Sequence, residues 1–140
     1  MNDPNWSFSG TVASELEHCR EFVGDVIGQL QNRRWPEGDI FGIRMALEEA
    51  IVNAIKHGNQ HDPIKSVHIE CDMSEKHFRI DIRDEGVGFN PDHVPDCTAT
   101  ENLDKTSGRG VMLIRHYMTN VEYSDKGTRV VMEKKRSAPM

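Results

Sequence analysis

The stretch from Met45 to Gly58 constrains the fold more than any other part of the sequence. It reads Met-Ala-Leu-Glu-Glu-Ala-Ile-Val-Asn-Ala-Ile-Lys-His-Gly, which predicts a helix that is apolar over most of its circumference. At about 100° per residue, Glu49, Asn53 and Lys56 fall within one narrow polar stripe. Such a stripe is either the solvent-exposed edge of an amphipathic helix or the wall of a binding site.

Length and composition restrict the class of protein. The chain has 140 residues, which is enough for one domain with a modest core. Its net charge of -6 argues against a nucleic-acid partner but leaves nucleotide binding open. Cys19, Cys71 and Cys97 have no metal-binding spacing and are expected to be reduced thiols. We expect a cytoplasmic protein, because no apolar run is long enough to span a membrane and no signal peptide is recognisable.

Alternation of apolar and polar residues predicts the strands. A short strand is expected at residues 6–12. The apolar positions of 67–73 and 78–82 alternate in the same way and predict an antiparallel hairpin with one buried face. Two further strands are expected, one beginning at Val121 and one over residues 128–133, with a turn between them. The basic tail, residues 134–140, is predicted to be frayed.

Apolar residues at steps of three or four predict the helices. The first helix should begin in a capping box with Ser14 as N-cap and Glu17 at N3, and the second at Pro36 or Asp39. A third is expected to open at Gly108, after a polar segment, about residues 90–108, that we interpret as a lid. This order predicts an α+β two-layer sandwich, a mixed and mostly antiparallel sheet covered on one face by three helices.

Two glycine-containing motifs suggest places where the backbone approaches a ligand. In Asp84-x-Gly86-x-Gly88, a carboxylate at a strand end can accept a hydrogen bond from an exocyclic amine. Gly108 and Gly110 flank Arg109 at a predicted helix start, where free N–H groups suit phosphate oxygens. Neither motif is a Walker A sequence or a dinucleotide fingerprint.

The polar stripe of the central helix would complete such a site. The amide oxygen of Asn53 is a hard ligand of the kind that Mg²⁺ accepts, together with phosphates and water. Glu49, one turn earlier, would then be placed to accept a proton from an attacking hydroxyl. His57 and His61 also have helical spacing, but the helix should end at Gly58 and no third ligand is near, which disfavours a histidine metal site.

Four motifs occur in an order that resembles the Bergerat-fold (GHKL) ATPases. They are Glu-x-x-x-Asn-Ala-x-x-His-Gly, Asp-x-Gly-x-Gly-Phe, Gly-x-Gly and Lys-Gly-Thr, similar to the N, G1 and G2 boxes and the final turn. Within this superfamily the chain is similar to the bacterial anti-sigma factor serine kinases. The resemblance covers nearly the whole chain and implies one histidine-kinase-like ATPase domain over residues 1–140.

The resemblance also implies roles for the matching residues. Asn53 would hold Mg²⁺, Glu49 would be the catalytic carboxylate, and Asp84 would read the adenine amine of ATP. Arg20, on the first helix, would contact protein partners. The other positions expected to contact the nucleotide are His57, Gly86, Gly88, Lys105, Gly108, Arg109, Gly110 and Thr128.

The implied activity is that of an ATP-dependent serine/threonine protein kinase which also binds a sigma factor. Its substrate would be an anti-anti-sigma antagonist of the STAS type, and the resemblance implies a homodimer. One position departs from the pattern, because Thr106 stands where some members have an arginine facing the γ-phosphate, and Lys105 or Arg109 could supply that cation. Two alternatives are a nucleotide-gated binding module with little or no kinase activity and a regulator whose target is not a sigma factor.

Overall fold

A computed structural model describes residues 5–59, 62, 64–86, 106–124 and 128–137, without the side chains of 57, 58 and 106–111. Five strands and three α-helices lie within these ranges. In chain order they are β1 (Trp6–Ala13), α1 (Leu16–Asn32), α2 (Glu37–Asn53), β2 (Ser66–Met73), β3 (His77–Arg83), α3 (Thr106–Tyr117), β4 (Asn120–Ser124) and β5 (Arg129–Lys135). Among these helices, none combines the length and the apolar content that crossing a bilayer requires.

The strands form one sheet in the order β1-β2-β3-β5-β4. The predicted hairpin is confirmed: β2 and β3 are antiparallel, with Ile69 opposite Ile82. The last strand, β5, lies between β3 and β4, and Val130 is opposite Ile82. The predicted α+β class is confirmed. Every pairing among the described strands is antiparallel, so this sheet is antiparallel and contains no parallel pair of described strands.

The two faces of the sheet differ in polarity, as the alternation predicts. One face is apolar and buried, and α1 and α2 supply apolar side chains to the same core. The other face carries polar and charged side chains. Fully or almost fully buried core residues include Val26, Leu30, Ile43, Leu47, Ile51, Val67, Ile69, Phe78, Ile80, Ile82, Ile114 and Met132. This separation makes the domain a two-layer sandwich, with the helices on one face.

The start of α1 differs from the prediction. Ser14 is not the N-cap; Glu15 occupies that position in extended conformation and makes no side-chain capping bond. The Ser14 hydroxyl instead accepts a hydrogen bond from the Asn59 amide at 2.8 Å, inside the protein. A tertiary partner therefore takes the oxygen that a capping box would use.

Helices α2 and α3 approach each other closely at a glycine. A Cβ atom on Gly42 would lie 3.1 Å from Cδ1 of Tyr117, so the ring packs where a larger side chain would have to displace it. The Tyr117 ring also makes an edge-to-face contact with Phe41, with centroids 5.8 Å apart. These contacts join the beginning of α2 to the end of α3.

Residues 134–137 of the basic tail lie in β5 or make defined hydrogen bonds, so the prediction of fraying was wrong for this part. Arg136 donates hydrogen bonds to the carbonyl oxygens of Arg33, Arg34 and Glu75, at 3.1, 2.6 and 3.0 Å. Ser137 donates from its backbone and its hydroxyl to the buried Asp39 carboxylate. The tail thus fastens the α1–α2 and β2–β3 connections, which an isolated run of basic residues does not reveal.

Replacing Arg136 by alanine is expected to lower the free energy of unfolding by about 1–3 kcal/mol, because three carbonyl oxygens lose a charged donor. The neighbouring Lys135→Ala change is the matched control, since Lys135 is exposed. Urea unfolding of both variants checks this. Equal midpoints for Arg136→Ala and the wild type would show that these bonds contribute nothing to stability.

Candidate functional site

The end of α2 presents an amide oxygen that the described residues leave without a partner. Asn53 is the last residue of α2, and its buried Oδ1 atom accepts no hydrogen bond from the part of the chain that the structure describes. Glu49 lies one helical turn earlier, on the same side of α2, and is half-buried. The two polar side chains therefore belong to a partly buried wall and not to a solvated helix edge.

An unpartnered buried acceptor costs roughly 1–3 kcal/mol, which makes the Asn53 oxygen a candidate ligand atom. A neutral amide oxygen suits Mg²⁺, which commonly combines one or two protein oxygens with phosphate oxygens and water. Within the described ranges, histidine, cysteine, aspartate and glutamate form no group of three or more that could hold a metal ion. The Asn53 oxygen thus fits a magnesium ion that arrives with a phosphate ligand.

Asp84 lies directly after β3 and is held by its neighbours. Its backbone N–H donates to the carbonyl oxygen of Thr128 at 2.8 Å. Its Oδ1 atom accepts a hydrogen bond from the N–H of Gly86, also at 2.8 Å. Burial raises the pKa of the Asp84 carboxyl group, while the Gly86 N–H and the charge of Lys65 act to lower it. The structure thus places three predicted residues, Asp84, Gly86 and Thr128, together.

An ion pair between Arg129 and the buried Asp81 carboxylate joins β5 to β3, three residues before Asp84. The Asp81 carboxylate is 2% exposed, although it lies on the polar face of the sheet. Arg129 binds both of its oxygens, with Nη2 at 2.6 Å from Oδ2. Arg129 directly follows Thr128, so this bidentate pair holds the strand segment that supports Asp84. Sequence reasoning did not single it out.

Between the two segments the chain makes a π-helical turn, Ala54–Gly58. Sequence reasoning predicted the end at Gly58 but not the change of helix type. Turns of this kind are rare and often occur at functional sites. The residue that follows, Asn59, is fully buried and was also missed. A polar residue after a helix-ending glycine ordinarily indicates an exposed loop, so no local signal revealed it.

The predicted phosphate-binding glycines lie slightly further inside their helix than expected. Helix α3 begins at Thr106, so Gly108, Arg109 and Gly110 lie in its first turns and do not precede it. The N–H groups of the first three helical residues have no intrahelical acceptor, and Gly108 is the third residue of α3. At the other end of α3, the ring of Tyr117 contacts Phe41 and Gly42 near the beginning of α2.

The remaining predicted residues are placed only in part. Gly88 and Lys105 lie outside the described residues, as does most of the predicted lid. His57 is in the π-helical turn, and its side chain is outside the description. Arg20, the residue expected to contact protein partners, is exposed on α1. The structure therefore joins Asp84, Gly86 and Thr128 and places Glu49 and Asn53 on one side of α2.

The fold and the placement of these polar residues can be compared with known families of domains. An antiparallel sheet with helices on one face carries a buried amide oxygen at one helix end and an aspartate–glycine segment at a strand end. Residues 12–134 match the model of the histidine kinase-like ATPase domain. The chain belongs to this family.

Several curated relatives are similar over most of their length. The anti-sigma F factor of Oceanobacillus iheyensis is 37% identical, with 97% of this chain and 94% of the relative aligned. The anti-sigma F factor of Halalkalibacterium halodurans is 31% identical over 95% of this chain and 92% of the relative. That of Clostridium perfringens strain 13 is 35% identical over 69% of this chain and 73% of the relative.

Proposed function

We propose that this chain is an ATP-dependent serine/threonine protein kinase that also acts as an anti-sigma factor. Membership of the histidine kinase-like ATPase family supports the use of ATP. The relatives named anti-sigma F factor support a sigma factor as a partner. The substrate protein would be a small anti-anti-sigma antagonist of the STAS type, released from the complex once it is phosphorylated.

The buried Oδ1 atom of Asn53, which has no hydrogen-bond partner among the described residues, is the observation that carries this proposal. In the proposed site it holds Mg²⁺, and Asp84 accepts a hydrogen bond from the adenine amine. Gly86 supports Asp84 through its N–H group. Gly88, Thr128, His57, Lys105 and the first turns of α3 complete the proposed contacts with ATP.

Glu49 has the catalytic role in this proposal. When bound, Mg·ATP supplies the γ-phosphoryl group and leaves as ADP, after the bond from phosphorus to the bridging oxygen breaks. The acceptor is a serine or threonine hydroxyl, whose oxygen forms the new bond to phosphorus. Its proton goes to the Glu49 carboxylate, which lies one turn from Asn53 on the same side of α2.

The proposed protein contacts involve the first two elements of the chain. Arg20 is exposed on α1 and is therefore accessible to a partner. β1 is an edge strand of the sheet, paired only with β2 among the described strands. We include a homodimer formed through β1 and α1 in the proposal, because an edge strand of this kind can associate with another copy.

Transfer of labelled γ-phosphate from ATP to the cognate antagonist tests the kinase activity. The purified chain with Mg²⁺ should label the antagonist on serine or threonine, and chelation of Mg²⁺ should stop the labelling. A copy of the antagonist with its acceptor residue changed to alanine is the matched control. An unlabelled antagonist under saturating Mg·ATP would contradict the kinase proposal.

A nucleotide-gated binding module is the second candidate, and Thr106 is the observation that favours it. Thr106 is the first residue of α3, where some kinases of this type have an arginine near the γ-phosphate. Loss of such a cation weakens charge stabilisation during transfer. In this alternative ATP binding would still control the sigma factor, and the antagonist would be released without phosphorylation.

A further inference from the structure

One fully buried side chain connects the two segments that the proposed ATP site requires. We propose that Asn59 is a positioning residue that ties the end of the Asn53 helix to the segment carrying Asp84. This inference rests on the proposed function, because Asp84 is assigned there to the adenine amine. Asn59 itself is buried and would not touch the nucleotide.

The hydrogen bonds of Asn59 come from three separate parts of the chain. Its Nδ2 group donates to the Ser14 hydroxyl at 2.8 Å and to the Ser66 carbonyl oxygen at 3.0 Å. Its Oδ1 atom accepts the N–H of Glu85 at 2.6 Å. One side chain thus connects the β1–α1 link, the beginning of β2 and the exit from β3. A buried network whose hydrogen-bonding groups are all satisfied can hold these three parts of the chain in a single arrangement.

The π-helical turn explains how Asn59 reaches this position. In a regular α-helix the N–H of Asn59 would bond to the carbonyl oxygen of Ile55. Here it bonds to Ala54, one residue further back, at 2.7 Å. The wider turn changes the direction in which the chain leaves α2. The same turn follows Asn53 directly, so its geometry links the proposed metal ligand to Asn59.

Glu85 is the next residue after Asp84. Through its bond to the Glu85 N–H, Asn59 would therefore fix the position of Asp84. Asp84 is anchored on one side by its N–H bond to Thr128 and on the other by the Glu85 N–H bond to Asn59. Loss of the second anchor leaves the peptide unit after Asp84 without its buried acceptor. We expect the carboxylate to lose its fixed direction, although it remains present.

Adenine and guanine differ where Asp84 is expected to read the base. Adenine carries an amine donor at that position and guanine a carbonyl acceptor, which a fixed carboxylate disfavours. Selectivity for ATP over GTP therefore depends on the position of Asp84. It does not change simply because the folded protein becomes less stable. A residue with only a structural role would lower the melting temperature and leave this selectivity unchanged.

Calorimetric titration of Asn59→Ala with Mg·ATP and Mg·GTP tests the proposal. We expect the ATP affinity and the ATP preference to fall by about tenfold, the lower end of losses at supporting residues of a site. Asp84→Ala is the positive reference and should lose at least as much preference. Ser14→Ala is the matched control, because it removes one partner of Asn59 and leaves the Oδ1 bond to Glu85 intact.

The outcomes separate the two proposals. Unchanged ATP preference in folded Asn59→Ala, with a clear loss in Asp84→Ala, would overturn the role of Asn59 alone. A wild-type chain that does not bind Mg·ATP would overturn the proposed function and this inference together. An equal loss of preference in Ser14→Ala and Asn59→Ala would also overturn it, since the Glu85 bond would then not be the cause.

Hydrogen exchange of the Glu85 amide in the wild-type protein provides a second test, which does not depend on whether a variant folds. The Glu85 side chain is exposed, but its N–H is held by a buried acceptor. We expect this amide to exchange at least about tenfold more slowly than an unprotected chain, and more slowly still with Mg·ATP. Exchange at the unprotected rate in both states would contradict the proposal.

Discussion

Replacing Asn53 by alanine is expected to abolish magnesium-dependent ATP binding while the fold stays intact. A direct metal ligand should matter more than a supporting residue, so we expect a loss of at least about 100-fold in affinity. The metal-free variant should be as stable as the wild type or slightly more stable, because alanine removes a buried acceptor that has no partner within the described residues. Titration calorimetry measures the affinity, and thermal unfolding measures the stability.

Ligand-dependent stabilisation gives a clear difference between the two proteins. At about 100 times the dissociation constant, Mg·ATP should stabilise the wild type by about 2.7 kcal/mol and the variant hardly at all. Asn32→Ala is the matched control, because Asn32 also ends a helix but is exposed. Wild-type affinity in Asn53→Ala would remove Asn53 from the site. A strongly destabilised metal-free variant would contradict the view that its oxygen is held ready for a ligand.

The change Glu49→Gln is expected to slow phosphoryl transfer by about 10²–10⁴-fold, the usual contribution of a general base. Glutamine keeps the size of the side chain but cannot accept the proton of the acceptor hydroxyl. Since Glu49 is assigned neither to the metal ion nor to the adenine ring, the affinity for ATP should stay near the wild-type value. Single-turnover transfer from labelled ATP to the antagonist separates the rate of chemistry from binding.

Glu48→Gln provides the control on the same helix. Glu48 is exposed and pairs with Arg44, with Nε and Oε1 3.2 Å apart, so its loss should leave transfer unchanged. Phosphoryl transfer at the wild-type rate in Glu49→Gln would show that Glu49 is not the general base. If partner release also survived in full, the nucleotide-gated binding module would be favoured over the kinase.

The parts of the fold that could be predicted are those determined by local pattern. Strict alternation in β2 and β3 shows which face of each strand is buried, and the structure confirms both strands. The position of β5 between β3 and β4 has no such local signal, because strand order depends on pairing between distant segments. The order of the helices and strands predicted the two-layer architecture, and the resemblance to a known family implied the same kind of domain.

The same distinction applies to the site. The spacing of Glu49 and Asn53 is enough to imply a shared helix face, because residues four apart lie one turn from each other. Asn59 could not be identified in this way, because its three side-chain partners come from three distant segments. Ser14 was misread for the same reason, since a tertiary donor took the hydroxyl expected to cap α1. Arg136 likewise binds carbonyl groups remote in sequence.

A crystal structure with Mg²⁺ and a non-hydrolysable ATP analogue would show whether Asn53 and Asp84 hold the nucleotide. We expect a metal ion at about 2.1 Å from Oδ1 of Asn53, the usual Mg–oxygen distance, and the adenine amine within hydrogen-bond distance of Asp84. Glu49 should then face the γ-phosphate without binding the metal. An analogue bound with Asn53 Oδ1 still unpartnered, or with Asp84 away from the base, would contradict this expectation.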